Sequence, residues 1–141
     1  MKRGTPVIDT GPLVAILDRR DQHHQWAVEQ FGKLKTPLLT CEAVLTEACF
    51  LVRRMPGGSA AVLEMVGRGT LKVAFQLEAE VGPISKLMAR YANIPMSLAD
   101  ACLVRMCELH TNSEVITVDS DFHIYRKNGR QAIPVLMPPR R

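Results

Sequence analysis

Along the chain, short apolar segments that end at an acid alternate with helical patterns. This alternation constrains the possible folds more than any other feature of the sequence. Residues 5–8 end in two β-branched side chains and run directly into Asp9, which a glycine and a proline soon follow. Such a segment predicts a buried strand that ends at the acid and passes into a helix. Residues 114–118 repeat the pattern and end at Asp119. Strands alternating with helices predict an α/β fold, with a parallel sheet covered by helices on both faces.

The length predicts a single domain over residues 1–141, in which residues 1–4 and 137–141 form loose tails. No apolar run approaches the roughly 18 residues that span a bilayer, and the N-terminal apolar stretch is too short for a secretory signal. We therefore expect a cytoplasmic protein without membrane contact. The net charge of +4 is compatible with a polyanionic partner, although the basic residues are scattered along the chain.

Cysteine and histidine residues do not form a recognisable metal motif. The four cysteines make no CxxC pair, and each lies in an apolar segment. We interpret them as small buried hydrophobic residues. They are Cys41, Cys49, Cys102 and Cys107. The adjacent His23 and His24 would point about 100° apart on a helix, which disfavours a shared metal ion.

Another acid lies within the apolar stripe of a helix predicted from residue 41 to about residue 55, with Thr40 as its N-cap. The stripe recurs at helical spacing and consists of Val44, Ala48, Leu51 and Met55. Glu47 falls inside this stripe, so we expect its carboxylate to face the core. An ionised acid in the core must be paired, protonated or bound to a cation. Glu42 is in the first turn, where the helix dipole alone accounts for it.

Asp100 is in the first turn of an apolar helix predicted to end near residue 109, the pattern of a buried central helix. A purely structural role is open for this acid, because Ser97 and Asp100 have the spacing of a capping box. The same holds for Asp9, since either Asp9 or Thr10 can cap the helix that follows the first strand. Local pattern alone leaves capping and chemistry as alternatives for both acids.

The predicted topology brings these acids together. In a parallel sheet the strand ends share one edge, so Asp9 and Asp119 should lie close, with Asp100 at a helix start beside them and Glu47 facing inward. Carboxylates this close repel one another and raise each other's pKa unless a cation lies between them. Oxygen-only ligand sets favour Mg²⁺ or Mn²⁺. Such a site suits metal-assisted hydrolysis of a phosphodiester.

Four motifs, in this order, resemble those of PIN-domain proteins, and in particular the VapC-type toxin ribonucleases of bacteria and archaea. They are VIDTGPLVA at residues 7–15, LTEA at 45–48, LADA at 98–101 and ITVDSDF at 116–122. The match covers nearly the whole chain. The resemblance implies a three-layer α/β/α fold with a small central parallel sheet flanked by helices.

The resemblance also implies roles for single residues. The matching acids would bind Mg²⁺ or Mn²⁺, and they are Asp9, Glu47, Asp100 and Asp119. Thr117 would be a supporting hydroxyl and Asp121 an accessory acid. Family members often have a serine or threonine two places after the first acid. Here Gly11 occupies that place and leaves Thr10 to supply a nearby hydroxyl.

The implied function is a metal-dependent endoribonuclease that hydrolyses RNA, forms a homodimer and is the toxin of a type II toxin–antitoxin pair, blocked by a cognate antitoxin protein. Two alternatives stay open. The first alternative is a free-standing PIN nuclease without an antitoxin. The second is a PIN-fold module that binds RNA or protein without cleavage. All four matching acids are present, which argues against the non-catalytic alternative.

Overall fold

The computed structural model describes residues 4–140, so the predicted tail residues 1–3 and Arg141 lie outside the described part. Residues 4–140 contain six α-helices. These are α1 (Thr10–Leu17), α2 (His24–Lys33), α3 (Glu42–Leu51), α4 (Gly58–Gly67), α5 (Val81–Arg90) and α6 (Leu98–Leu109). Two short 3₁₀ helices span Leu77–Glu80 and Ser120–His123.

The same residues contain seven strands. They are β1 (Thr5–Ile8), β2 (Leu38–Thr40), β3 (Leu71–Val73), β4 (Ser113–Ile116), β5 (Arg126–Lys127), β6 (Gln131–Ala132) and β7 (Val135–Leu136). Five of them form one parallel sheet in the order β3-β2-β1-β4-β7, and β5 pairs with β6 in an antiparallel hairpin. The predicted α/β fold, with a small parallel sheet flanked by helices, is therefore confirmed.

The two central strands place the site. β1 and β4 pair in parallel over four residues, and the last pair is Ile8 with Ile116. Both strands are buried because their apolar side chains face helices on both sides of the sheet, as expected for parallel strands. Since the register aligns their last residues, Asp9 and Thr117 leave the sheet side by side at its carboxyl edge.

Helix α6 is the buried central helix that its apolar sequence predicts. Seven of its residues are buried, and it contacts α3, α5, β1 and β4. Its first turn carries the predicted capping box, in which Ser97 and Asp100 exchange side-chain to backbone hydrogen bonds. The capping box fixes where α6 begins, and therefore where Asp100 lies relative to the sheet.

Two details of α3 differ from prediction. Thr40 is not its N-cap, because this residue ends β2 and its hydroxyl donates to the Ile8 carbonyl at 3.1 Å; Cys41 takes the cap position. The helix also ends at Leu51 rather than near Met55, since residues 52–57 form successive turns before α4. Leu51 is 52% exposed although it belongs to the predicted inward stripe. Leu51 lies to one side of the buried line, which continues through Ala48 and Val52.

The C-terminal residues 137–140 have no regular secondary structure, as the tail prediction expects, but Met137 and Pro138 are half-buried. Residues 138–140 lie against the start of α2, where they line a surface cavity with Trp26. Among the described residues, no helix is both long enough and apolar enough to cross a membrane.

Candidate active site

Asp9 directly follows β1 and is the most enclosed acid of the candidate site. Only 7% of the residue is exposed. One carboxylate oxygen accepts from the Thr10 backbone N–H at 2.8 Å, and the other accepts from the Thr117 hydroxyl at 2.7 Å. The first of these bonds caps α1, so the capping role proposed for Asp9 is present. The second joins the ends of the two central strands.

The end of β4 supplies Thr117 and Asp119. Thr117 is fully buried, and its hydroxyl oxygen accepts from the Asp119 backbone N–H at 3.0 Å while it donates to Asp9. The Asp119 carboxylate is half-buried and caps the 3₁₀ helix by accepting from the Asp121 N–H at 2.9 Å. Asp121 is half-buried in the first turn of that helix. Thr117 therefore orients one acid directly and the backbone of the next.

Glu47 reaches the site from α3, but it does not face the core, and the prediction that it lies on the inward stripe is wrong. The buried line of this segment passes through Val44, Ala48 and Val52, and Glu47 is exposed. At 100° per residue, Glu47 lies roughly a quarter turn from the middle of that line. The Thr10 hydroxyl donates to its carboxylate at 2.9 Å. The fourth acid is thus held at the open side of the site.

Asp100 has a partner that the sequence patterns do not reveal. The Tyr125 hydroxyl donates to the Asp100 carboxylate at 3.0 Å, in addition to the capping bonds with Ser97. Tyr125 is fully buried, and its ring packs edge-on against Tyr91 and Phe122, with centroids 5.1 and 5.2 Å away. The sequence contains no signal for this contact, because the two residues are 25 positions apart and meet only through the tertiary fold.

The packing around Gly11 explains why no serine or threonine lies two places after Asp9. A Cβ atom at this position would lie 2.4 Å from the Val118 Cγ2 atom. The Val118 side chain therefore occupies the space that a side chain at position 11 would need. The Thr10 hydroxyl, which contacts Glu47, is placed as the sequence analysis expects.

The electrostatics of the site follow from burial and from like charges. The pKa of Asp9 is raised from 3.8 to about 6, chiefly by burial and in smaller part by the charges of Asp100 and Asp119, against the lowering effect of its two hydrogen bonds. Burial also raises the pKa of Asp100, with a smaller contribution from Asp119. The charge of Asp119 therefore acts on both Asp9 and Asp100, and burial makes the ionised form of Asp9 costly.

These residues suit a hard cation in their chemistry. The donor set is all oxygen, and a positive ion would relieve the mutual repulsion that raises the pKa of Asp9. Within residues 4–140, however, no three His, Cys, Asp or Glu side chains are already gathered at the spacing of a metal site.

The histidines and cysteines that the sequence analysis did not assign as metal ligands have structural roles. The ring of His24 contacts the Ala15 carbonyl at 2.7 Å. Three of the four cysteines are buried as predicted, and Cys49 is half-buried.

Residues 7–128 match the family described as PIN domain. The chain belongs to the PIN-domain family. This match includes all four predicted acids and both predicted threonines. The chain is also similar to Ribonuclease VapC26 of Mycobacterium tuberculosis, with 25% identity over 115 residues that cover 80% of this chain and 85% of the relative. Family membership agrees with the parallel sheet and with the acids at its carboxyl edge.

Proposed function

We propose that this PIN domain is an endoribonuclease that requires Mg²⁺ or Mn²⁺ and hydrolyses RNA phosphodiester bonds. The observation that carries the proposal is the coupling of Asp9, Asp100 and Asp119 at one edge of the sheet, where burial and like charge raise the pKa of Asp9. A bound cation would stabilise the ionised form of Asp9 and Asp100. The similarity to a relative that is named a ribonuclease supports the choice of RNA as substrate.

The residues divide the work as follows in this proposal. Asp9, Asp100 and Asp119 hold the cation, and Glu47 completes the set from the open side. When bound, the ion supplies a water of lowered pKa and stabilises the leaving oxygen.

Hydrogen bonds from neighbouring hydroxyl and N–H groups orient the carboxylates in the absence of substrate. Thr117 and the Thr10 N–H orient both oxygens of Asp9. Tyr125 orients Asp100, and Thr10 orients Glu47. With their rotamers set by these bonds, the carboxylates need little reorganisation when the ion and the RNA phosphate bind.

We also propose that the chain is the toxin of a type II toxin–antitoxin pair, acts in the cytoplasm and forms a homodimer. Induced expression of the wild-type chain should then arrest growth, whereas the Asp9→Asn variant should not. Light scattering measures the oligomeric state. A free-standing nuclease would cleave RNA in vitro without arresting growth.

The first experiment is cleavage of a mixed pool of structured and single-stranded RNA with Mg²⁺, Mn²⁺ or EDTA. Asp9→Asn should reduce cleavage by at least about a hundredfold, since it removes a charge that holds the ion. Asp18→Asn is the matched control, because Asp18 lies at the other end of α1 and its carboxylate contacts the backbone N–H and the guanidinium of Arg20. Calorimetry with Mn²⁺ provides a readout that does not depend on the RNA chosen. Absence of both cleavage and Mn²⁺ binding would favour the non-catalytic alternative.

A further inference from the structure

A surface cavity of about 490 Å³ lies between the start of α2 and the C-terminal segment. We call it the Trp26 pocket. It is lined by Gln22, His23, Gln25, Trp26 and residues 138–140. Trp26 is half-buried: part of its ring packs on the hydrophobic core, and part is open to the cavity. None of the lining residues belongs to the acidic site.

The lining chemistry is that of a nucleobase site. The indole of Trp26, the imidazole of His23 and two proline rings offer flat or apolar faces on which a base can stack. The amides of Gln22 and Gln25 and the guanidinium of Arg140 offer polar groups for the edge of a base. Within residues 4–140 these side-chain groups have no hydrogen-bond partner, so they are available to a ligand.

The charge of the pocket distinguishes it from other cavities on the described surface. The Trp26 pocket has Arg140 and no carboxylate among its lining residues. Three other cavities each include at least one glutamate: Glu108 in the first, Glu42 and Glu78 in the second, and Glu80 in the third. The first of these cavities also has Lys86 and Arg90, so the Trp26 pocket differs from all three in having no lining carboxylate that would repel a phosphate.

The backbone connects this pocket to the acidic site over a short distance. The Thr117 N–H donates to the Leu136 carbonyl at 3.1 Å, and the Thr117 hydroxyl donates to Asp9. The segment that lines the pocket begins at Pro138, two residues after Leu136. Because an extended chain covers at most about 3.6 Å per residue, Pro138 lies within roughly 7 Å of Leu136. The segment that lines the pocket therefore begins close to the strand end that carries Thr117.

We propose that the Trp26 pocket binds one unpaired nucleobase of the RNA whose backbone lies at the carboxylate site. Trp26 stacks on the base, and the glutamine amides and Arg140 contact its edge or the adjoining phosphate. The pocket thereby selects single-stranded RNA and positions it for cleavage. This inference rests on the proposed ribonuclease function and adds a subsite to it.

Trp26 is the only tryptophan of the chain, so its fluorescence reports directly on the pocket. The full-length protein is titrated in EDTA, which prevents metal-dependent cleavage, with a short single-stranded RNA of mixed sequence. We expect saturable quenching of Trp26. An oligonucleotide with the same sugar-phosphate backbone but no bases should bind more weakly and leave the fluorescence unchanged.

Variants separate stacking from charge, with affinity measured by the anisotropy of a labelled RNA. Trp26→Leu should weaken binding by about tenfold or more, since one stacked base contributes a factor of that size, whereas Trp26→Tyr should retain most of the affinity. Arg140→Gln should weaken binding by about threefold to tenfold. Arg130→Gln removes the same charge at an exposed turn outside the pocket and should have a smaller effect. Circular dichroism checks that each variant is folded.

The outcomes distinguish this inference from the proposed function. Binding of labelled RNA without quenching, together with unchanged affinity of Trp26→Leu, would overturn the base subsite and leave the ribonuclease proposal intact. Equal quenching by the baseless oligonucleotide would also overturn it, because the pocket would then bind backbone alone. If no RNA binds and Mn²⁺ neither binds nor promotes cleavage, both proposals fail.

Discussion

The ends of β1 and β4 have the same local design and different environments. Each strand stops at the carboxyl edge of the sheet, and each is followed by an aspartate that caps the next helix. Asp9 comes directly after β1 and is almost fully buried, whereas Asp119 comes three residues after Ile116 and is half-buried. Two extra residues thus move the second acid outwards.

The difference shows that capping and chemistry are not exclusive roles. A helix cap uses only one carboxylate oxygen, so the second oxygen of Asp9 is free to accept from Thr117. What separates the two acids is burial, which raises the pKa of Asp9 to about 6. The extra residues after β4 also have a use, because they place the Thr117 hydroxyl between the two acids.

The largest stability effect should come from the charge of Asp9. The pKa of this acid rises from its usual 3.8 to about 6 in the folded chain. The folded state therefore binds the proton more tightly than the unfolded state. The stabilisation is complete below pH 3.8 and is lost as the pH rises through about 6. Its size is about 3 kcal/mol.

Asp9→Asn should remove this dependence and make the metal-free protein more stable at pH 7.5. Asp119→Asn should remove only the small part that its charge contributes. Urea unfolding in EDTA at several pH values measures both. If the free energy of unfolding depends on pH in the same way in wild type and Asp9→Asn, the burial of Asp9 does not distinguish the two strand ends.

Thr117→Val should be next in size, because the buried hydroxyl is the physical link between the two strand ends. Its loss leaves one oxygen of Asp9 and the backbone N–H of Asp119 without a partner. We expect a loss of about 2 kcal/mol in the free energy of unfolding, the usual cost of such unpaired groups. Thr117→Ser retains the hydroxyl and is the control. A valine variant as stable as the serine variant would refute the link.

Gly11→Ala tests the close approach of the two ends. The new methyl group would meet Val118 Cγ2 at 2.4 Å, and a β-branched side chain has few alternative rotamers. We expect a loss of about 1–2 kcal/mol from overpacking. The second substitution Val118→Ala should restore most of it, which thermal unfolding of the single and double variants would show. No recovery in the double variant would place the strain elsewhere.

Glu47→Gln should have the smallest effect on stability, because the side chain is exposed and glutamine still accepts from the Thr10 hydroxyl. We expect a change within about 0.5 kcal/mol. Cleavage of RNA should nevertheless fall sharply, since the fourth negative charge is lost. Glu64→Gln, an exposed change on α4, is the matched control. Normal cleavage by the Glu47 variant would remove this residue from the site.

Much of the fold could be predicted because it is encoded in local patterns. The β-branched ends of β1 and β4, the capping box of α6 and the turn before β6 each have a short-range cause. The α3 helix shows the limit of such patterns. Its periodicity placed Glu47 and Leu51 towards the core, but which arc of a helix is covered depends on its neighbours. In α3 the covered arc runs through Val44, Ala48 and Val52.

The sequence by itself determined the parallel α/β topology, the family and the acids that belong at the sheet edge, because strand and helix patterns and motif order are properties of the chain. Tertiary structure alone decided how those acids differ. Three features depend on residues that are distant in sequence. They are the contact of Tyr125 with Asp100, the packing of Val118 against Gly11 and the burial that raises the pKa of Asp9. Such contacts arise only when separate elements pack, so no local pattern contains them.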